Sequence, residues 1–405
     1  MMNLLHAPLF PIYLLLVSLP FGPAVQNFIA GIVFALLLFR FVSLPKGERF
    51  SIPPTVMGAT LAGLTYAAWL LISTLVNPLT HPSLAGKFTG ILFWPLLPLL
   101  FAKTTPSLRT EQIRTLGKVL AVLSFLWGLV MISQSLSGWR VSGATFIFDE
   151  PRPRGFYSHP LTLAYTLVIF WPLAVNWIKR DRSHLWSWLF FLGICSGIIL
   201  TQSRTVQIVA VFAGAYVFLK RSTWTFKVGT LAGLCLAGAL LFSTDNALTR
   251  KYRDTFTEKG VDKHSNYADD RLAFWHVHMG MIGERPILGH GWGIDDDYRR
   301  PYYAKIGLIN FIKPYPAHNT YLEILTEGGV VALLVFFVWL ICFLAFFAQL
   351  SEPIRSIAFQ TFACLFLAAL TQNAFQDFEV RWALTLFCVG TILSARELRR
   401  QSALQ

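Results

Sequence analysis

The chain has 405 residues, of which 55% are hydrophobic, 15% aromatic and only 14% charged. Soluble domains carry about 25% charged residues, so this composition excludes an ordinary soluble protein and points to the membrane class. The net charge of +13 is spread over separate loops rather than gathered in one patch, which excludes reading it as a nucleic-acid binder.

Apolar runs of roughly 17–25 residues, each long enough to cross a hydrocarbon core, recur along the whole length. They predict an all-α polytopic membrane protein with about twelve transmembrane helices. The spans fall near 7–22, 25–43, 53–76, 84–102, 114–135, 159–178, 185–201, 205–220, 226–243, 320–348, 354–373 and 381–396. Pro20, Gly22 and Pro23 interrupt the first two. Met1–Ala7 lacks the basic n-region of a cleavable signal peptide. Three units follow: N-terminal transmembrane helices over 1–243, a long loop over 244–317 that contains short helices, and C-terminal transmembrane helices over 318–405.

Taking short loops and tails alternately, one side holds Arg40, Lys46, Arg49, Lys103, Arg109, Arg114, Lys118, Lys179, Arg180, Arg182, Lys220, Arg221, Lys227, Arg355, Arg396, Arg399 and Arg400. The other holds only Lys87, Arg140, Arg152, Arg154, Arg204 and Arg381. The basic side is expected to be cytoplasmic, together with both termini, and the long loop then lies outside. Cys195, Cys235, Cys342, Cys364 and Cys388 all fall in predicted spans, so neither disulfides nor cysteine chemistry is expected.

In the outer loop, Asp245–Thr255 has polar residues at helical spacing. The stretch from Asp269 to Ile282 reads as an amphipathic helix with an acidic start. Its apolar residues Leu272, Trp275, Met279 and Ile282 can rest on the membrane or cap a cavity. His276 and His278 are two apart, point to different sides and make no metal pair. Arg285–Gly293 follows, with glycines at alternate positions that allow tight turns. Asp295, Asp296 and Asp297 suit a solvated turn better than a cation site.

Two boundary motifs carry the chemistry. Leu200-Thr-Gln-Ser-Arg-Thr205 joins two spans by a connection too short to release Arg204 into solvent. A guanidinium at the membrane face suits phosphate, because its planar fork offers several donors; the simpler alternative is snorkelling to lipid phosphates. Pro316-Ala-His-Asn-Thr-Tyr-Leu-Glu-Ile-Leu-Thr-Glu-Gly-Gly329 ends the long loop and starts a span. His318 there has an ordinary pKa of about 6.5 and accepts a proton near neutrality. Glu323 and Glu327 share one helical face, as an interior polar site or as compensation of the helix dipole. Arg152 and Arg154, beside Tyr157 and His159, add cations on the same side, and Arg271 opens the amphipathic helix. Asp377 and Glu379 orient an arginine or simply pair with Arg381. No Gly-x-x-x-x-Gly-Lys phosphate loop is present, so a nucleotide energy source is not indicated.

Together with Pro286-Ile-Leu-Gly-His-Gly-Trp-Gly293, these motifs resemble the O-antigen ligase and polymerase-related family of bacterial inner-membrane glycosyltransferases. The resemblance covers roughly Gly193 to Val335; the first 190 residues match only in hydropathy. It implies a multi-pass inner-membrane enzyme of lipopolysaccharide maturation, with the long loop and active site facing the periplasm. It also implies transfer of a glycan from undecaprenyl diphosphate to a sugar hydroxyl of lipid A-core, with no nucleotide, metal or other cofactor. Carried over by motif, Arg204 and His318 are the catalytic residues; Arg152, Arg154, Arg271, Asn319 and Asp377 are expected to bind substrate. The residues suit that chemistry in their own right: arginines stabilise a diphosphate leaving group, and His318 serves as general base toward the hydroxyl. A single displacement inverts the anomeric carbon. Two lipid substrates require a site open sideways to the bilayer. An O-antigen polymerase is the nearest alternative. A transporter or flippase fits less well, because Arg and His cluster on one side with few charges at mid-membrane.

Overall fold

The computed structural model describes residues 9–45, 52–77, 84–106, 108–139, 152–220, 223–225, 228–229, 270–307 and 315–402. Met1–Ala7, the stretch Asp245–Thr255, Asp269, Arg140, Cys235 and, apart from 228–229, the predicted span 226–243 lie outside the described residues.

All regular structure in the described residues is helical. In chain order the main helices are α1 (Phe10–Ser18), α2 (Pro23–Ser43), α3 (Pro54–Val76), α4 (Leu84–Thr104), α5 (Thr110–Ser137), α6 (Pro160–Arg180) and α7 (Leu185–Leu200). They continue with α8 (Arg204–Leu219), α9 (Asp270–Glu284), α10 (Asp296–Lys305), α11 (Thr320–Ala348), α12 (Ile354–Ala368) and α13 (Phe378–Ser402). Seven of the described helices are long and apolar enough to cross a membrane: α2, α3, α5, α6, α11, α13, and α12 with its 3₁₀ extension to Thr371. α7 and α8 are apolar but shorter. The predicted first span shrinks to the nine residues of α1. Pro20, Gly22 and Pro23 explain this, because proline lacks the N–H that a continuing helix requires.

α6 and α13 form the centre of the bundle, each with 78% of its apolar stretch buried, against 22% for α2 at the periphery. Large apolar side chains point outward where lipid replaces water, among them Phe28, Phe39 and Phe212. α5 crosses α7 where Gly193 faces Ser124; a Cβ on Gly193 would lie 2.2 Å from the Ser124 carbonyl oxygen. Small residues permit this approach, which is how helices associate when no hydrophobic drive acts between them.

α11 is broken inside the protein. Gly329 has φ 67° and ψ −169°, a conformation open essentially to glycine alone. The break frees backbone groups, and the glycine-rich loop before α10 takes them. His290 N donates to Thr326 O at 2.8 Å, Gly291 N to Glu327 O at 2.9 Å, and Val330 N donates to Pro286 O at 2.8 Å. From α3, Trp69 Nε1 donates to Gly328 O at 2.7 Å and Ser73 Oγ to Glu327 O at 2.8 Å. Irregular backbone inside a membrane protein is tolerated where the protein supplies partners for the freed groups, as it does for these four. A Cβ at position 329 would sit 2.0 Å from the Ile287 carbonyl oxygen. Gly329→Ala is therefore expected to cost about 1–3 kcal/mol in backbone strain alone, with the clash in addition. A sharply lower thermal midpoint and poor yield of detergent-solubilised protein are the measurements.

Candidate active site

The starts of α6, α8, α11 and α13 and the end of α12 meet beside a small cap formed by α9 and α10. The cap has its own core of Ala273, Phe274, Val277, Met281, Ile294 and Tyr303. Of the apolar face expected from the sequence, Leu272 and Met279 point outward, 45% and 57% exposed, while Trp275 packs against the cap core and Ile282 is half-buried. His276 is exposed and His278 fully buried, on different sides as expected.

Glu323 and Glu327 hold the cap in place. Glu323 Oε1 accepts from Arg299 at 2.9 Å, and its Oε2 accepts from the backbone N of Ala317 at 2.7 Å. Glu327 accepts from Gly293 N at 2.7 Å and Gln376 Nε2 at 2.9 Å. Both carboxylates are buried, so their shared helical face is a fastening surface rather than simple dipole compensation. The neighbouring His278 is held neutral, its pKa lowered to about 4 chiefly by burial, so Arg299 is the countercharge of Glu323. Glu323→Ala will strand the buried Arg299 guanidinium and is expected to destabilise the protein by about 3–5 kcal/mol. Thermal unfolding of the variant beside wild type checks this.

His318 stands where the cap meets α11. Its backbone φ is 47°, an uncommon conformation for a residue with a side chain. The ring packs against Phe274 and Tyr315, with centroids 5.6 Å and 5.9 Å away. Nδ1 lies 2.7 Å from Gln372 Oε1. A carbonyl oxygen accepts, so Nδ1 carries the proton and Nε2 keeps the lone pair. Gln372 is itself fixed, since its carbonyl accepts from Thr320 N at 3.1 Å and Thr320 Oγ1 at 2.8 Å. Burial lowers the His318 pKa; the Gln372 bond opposes that, and the Arg271 charge adds to it. The imidazole is therefore neutral at neutral pH.

Asn319 is the N-cap of α11: its side-chain oxygen accepts from Tyr321 N at 3.0 Å and Leu322 N at 3.2 Å. That oxygen holds the helix start rather than facing a ligand. Arg271 opens α9 with its charge acting on both His318 and Tyr165. Arg204 is the first residue of α8, and Gln202, two residues before it, has φ 52°. Its neighbour Thr205 accepts from Thr371 Oγ1 at 2.9 Å, and Thr371 also meets Tyr165 OH at 3.3 Å. Thr371 directly precedes Gln372, so one short segment supports both the Arg204 helix start and the His318 ring.

Asp377 accepts from Thr162 Oγ1 at 2.7 Å, and Glu379 from Ser158 Oγ at 2.8 Å. Of the two roles the sequence left open for them, a close ion pair with Arg381 is not formed among the described residues; both carboxylates accept from hydroxyls instead. Burial, then repulsion from Glu379, raises the Asp377 pKa to about 7. Arg154 is buried in the loop before α6, with its guanidinium donating to Ser158 O at 3.3 Å, and Arg152 lies two residues upstream. Through Ser158 and Glu379 the Arg154 loop joins the same 371–379 segment. Arg204, Arg271, His318, Asp377 and Arg154 are thus gathered around one polar hub. Asp295 caps α10 by accepting from Tyr298 N at 2.8 Å, while Asp296 and Asp297 pair with Arg299 and Arg300. That settles the aspartate triplet as a helix start.

Sequence reading missed Gln372, Thr371 and Arg299. A Thr-Gln-Asn run at the end of an apolar span was the available signal for the first two. Nothing local marked Arg299, because its partner Glu323 lies 24 residues away.

Residues 188–337 match the family model described as O-antigen ligase. Comparison with curated proteins found no match. The matched segment contains Arg204, Arg271, the glycine-rich loop and His318, while Gln372 and Asp377 fall beyond it.

Proposed function

We propose, from the premise that residues 188–337 carry an O-antigen ligase family domain, that this chain is an inverting membrane glycosyltransferase of lipopolysaccharide maturation. In this reading it moves O-antigen glycan from undecaprenyl diphosphate to a sugar hydroxyl of lipid A-core on the periplasmic face. The observation that carries the proposal is the oriented, neutral imidazole of His318 in the positive field of Arg271, on a hub shared with the Arg204 helix start.

The acceptor hydroxyl loses its proton to His318 Nε2 as its oxygen attacks the anomeric carbon. Attack comes opposite the diphosphate, so the configuration inverts. Negative charge then grows on the leaving diphosphate, and Arg204, Arg271 and Arg154 are assigned to it. Fixed cations act strongly there, because they need no reorganisation as charge develops. Gln372 holds the tautomer that makes Nε2 the acceptor. Asp377 stands among these cations as a carboxyl that changes charge near neutrality.

Purified protein reconstituted with lipid-linked donor and lipid A-core acceptor tests the proposal. One glycan block attached to core is expected. Growth of the glycan on a second lipid-linked chain would assign polymerase activity instead, and absence of any covalent product would point to transport. The orientation is tested separately with single cysteines in a cysteine-free background. Position 285 is expected to react from outside the inner membrane and position 109 is not; external labelling at 109 would reverse the topology.

A further inference from the structure

A second feature lies at the other end of the bundle. An apolar cavity of ≈ 390 Å³ opens between α1, α5, α6, α12 and α13. Ile12, Leu120, Phe170, Trp177, Leu386 and Gly390 are among its walls, and Arg114 is the one charged residue that lines it. Its walls use the first turns of α5 and α12, the second half of α6 and the middle of α13. The His318 hub uses the opposite ends of α6, α12 and α13. Along α6 the cavity begins at Phe170, about 12 Å from the hub residue Thr162, and reaches Trp177, about 22 Å from it.

We propose that this cavity binds an acyl chain of an anionic glycerophospholipid, with the lipid phosphate held by Arg114. Three observations support that occupant. The walls are built largely from membrane-crossing helices, so the surrounding solvent is lipid rather than water. The volume falls within the roughly 300–1,000 Å³ of ligand sites. The rim is basic: Arg114 is exposed, and Lys103, Arg109, Lys118 and Arg355 lie on helix ends or loops at the same side, with Glu111 one turn before Arg114. Basic pockets between helices on this side of a membrane suit anionic headgroups. Arg114 adds a planar fork matched to phosphate. The space is genuine at Gly390, where an added Cβ would meet nothing within 4 Å. The glycan donor is not the occupant, because its diphosphate has to reach the opposite end. The proposal therefore stands whether or not the transfer reaction is the one assigned above.

Native mass spectrometry of the detergent-purified chain, titrated with phosphatidylglycerol or phosphatidylcholine of identical acyl chains, is the test. Wild type is expected to retain one phosphatidylglycerol in preference to phosphatidylcholine. Arg114→Gln should lose that preference by about tenfold, as expected for one charge-assisted phosphate contact. Gly390→Leu fills the cavity and should lower retention of both lipids. Neither residue touches the His318 hub, so elution profile and any transferase activity should remain those of wild type. If Gly390→Leu fails to fold, Arg114→Gln at its exposed position decides the matter alone. Equal phosphatidylglycerol preference in wild type and Arg114→Gln would overturn the proposal. So would an undecaprenyl phosphate competitor that displaces phosphatidylglycerol from wild type but not from Gly390→Leu.

Discussion

His318→Ala will slow single-turnover transfer by about 10²–10⁴-fold while leaving donor binding near wild type. The expectation follows from the lone pair at Nε2, which the Gln372 bond to Nδ1 leaves free to take the acceptor proton. The substitution removes a group that acts only as the hydroxyl is attacked, so the loss belongs in the rate with both substrates saturating. The pH profile gives an independent reading. Neutral imidazole is the active form, so activity falls as pH drops through the folded-state pKa. Burial places that pKa below the usual value near 6.5, and the acid limb belongs below the pH 6–7 window of a free imidazole. Asp377 titrates higher, at about 7, so Asp377→Asn should remove any inflection near neutrality and leave the lower limb intact. Gln372→Leu frees Nδ1 and should lower the rate without shifting donor affinity. Identical rates in wild type and His318→Ala would take the imidazole out of the chemistry. A defect confined to donor affinity would move it to the diphosphate.

Arg204→Ala will abolish measurable transfer in protein that still inserts and elutes normally. Removing one fixed donor from a developing oxyanion costs about 10²–10³-fold, and a diphosphate leaving group relies on such donors throughout its departure. Arg204→Lys is expected to recover little, because a point ammonium does not reproduce a planar two-pronged grip. The position supports this role. Thr205 is tied to Thr371, and the strained Gln202 turn leads straight into α8, so the guanidinium base is held at the hub rather than on a loose loop. Donor affinity and single-turnover rate, measured for both variants, separate binding from chemistry. Near-wild-type turnover in Arg204→Lys would make fork geometry irrelevant and reduce Arg204 to a general electrostatic contact.

The sequence by itself determined the helical class, the membrane setting and the two boundary motifs. Those are local properties: an apolar run of sufficient length and a polar cluster at its end are legible without knowing what packs where. It also placed Arg204 and His318 correctly at helix starts. Tertiary structure alone decided the rest. The alternating glycines of 289–293 announced tight turns, but what those turns approach was decided only where Gly329 breaks α11 and exposes the carbonyls that His290 and Gly291 occupy. The two glutamates of α11 looked available for chemistry, yet Glu323 and Glu327 are taken by Arg299, Ala317, Gly293 and Gln376. The tautomer of His318 depends on Gln372, 54 residues away just past the end of another span. Long-range hydrogen bonds of this kind leave no periodic trace in a sequence, because either partner is an ordinary polar residue until the helices that carry them are packed together.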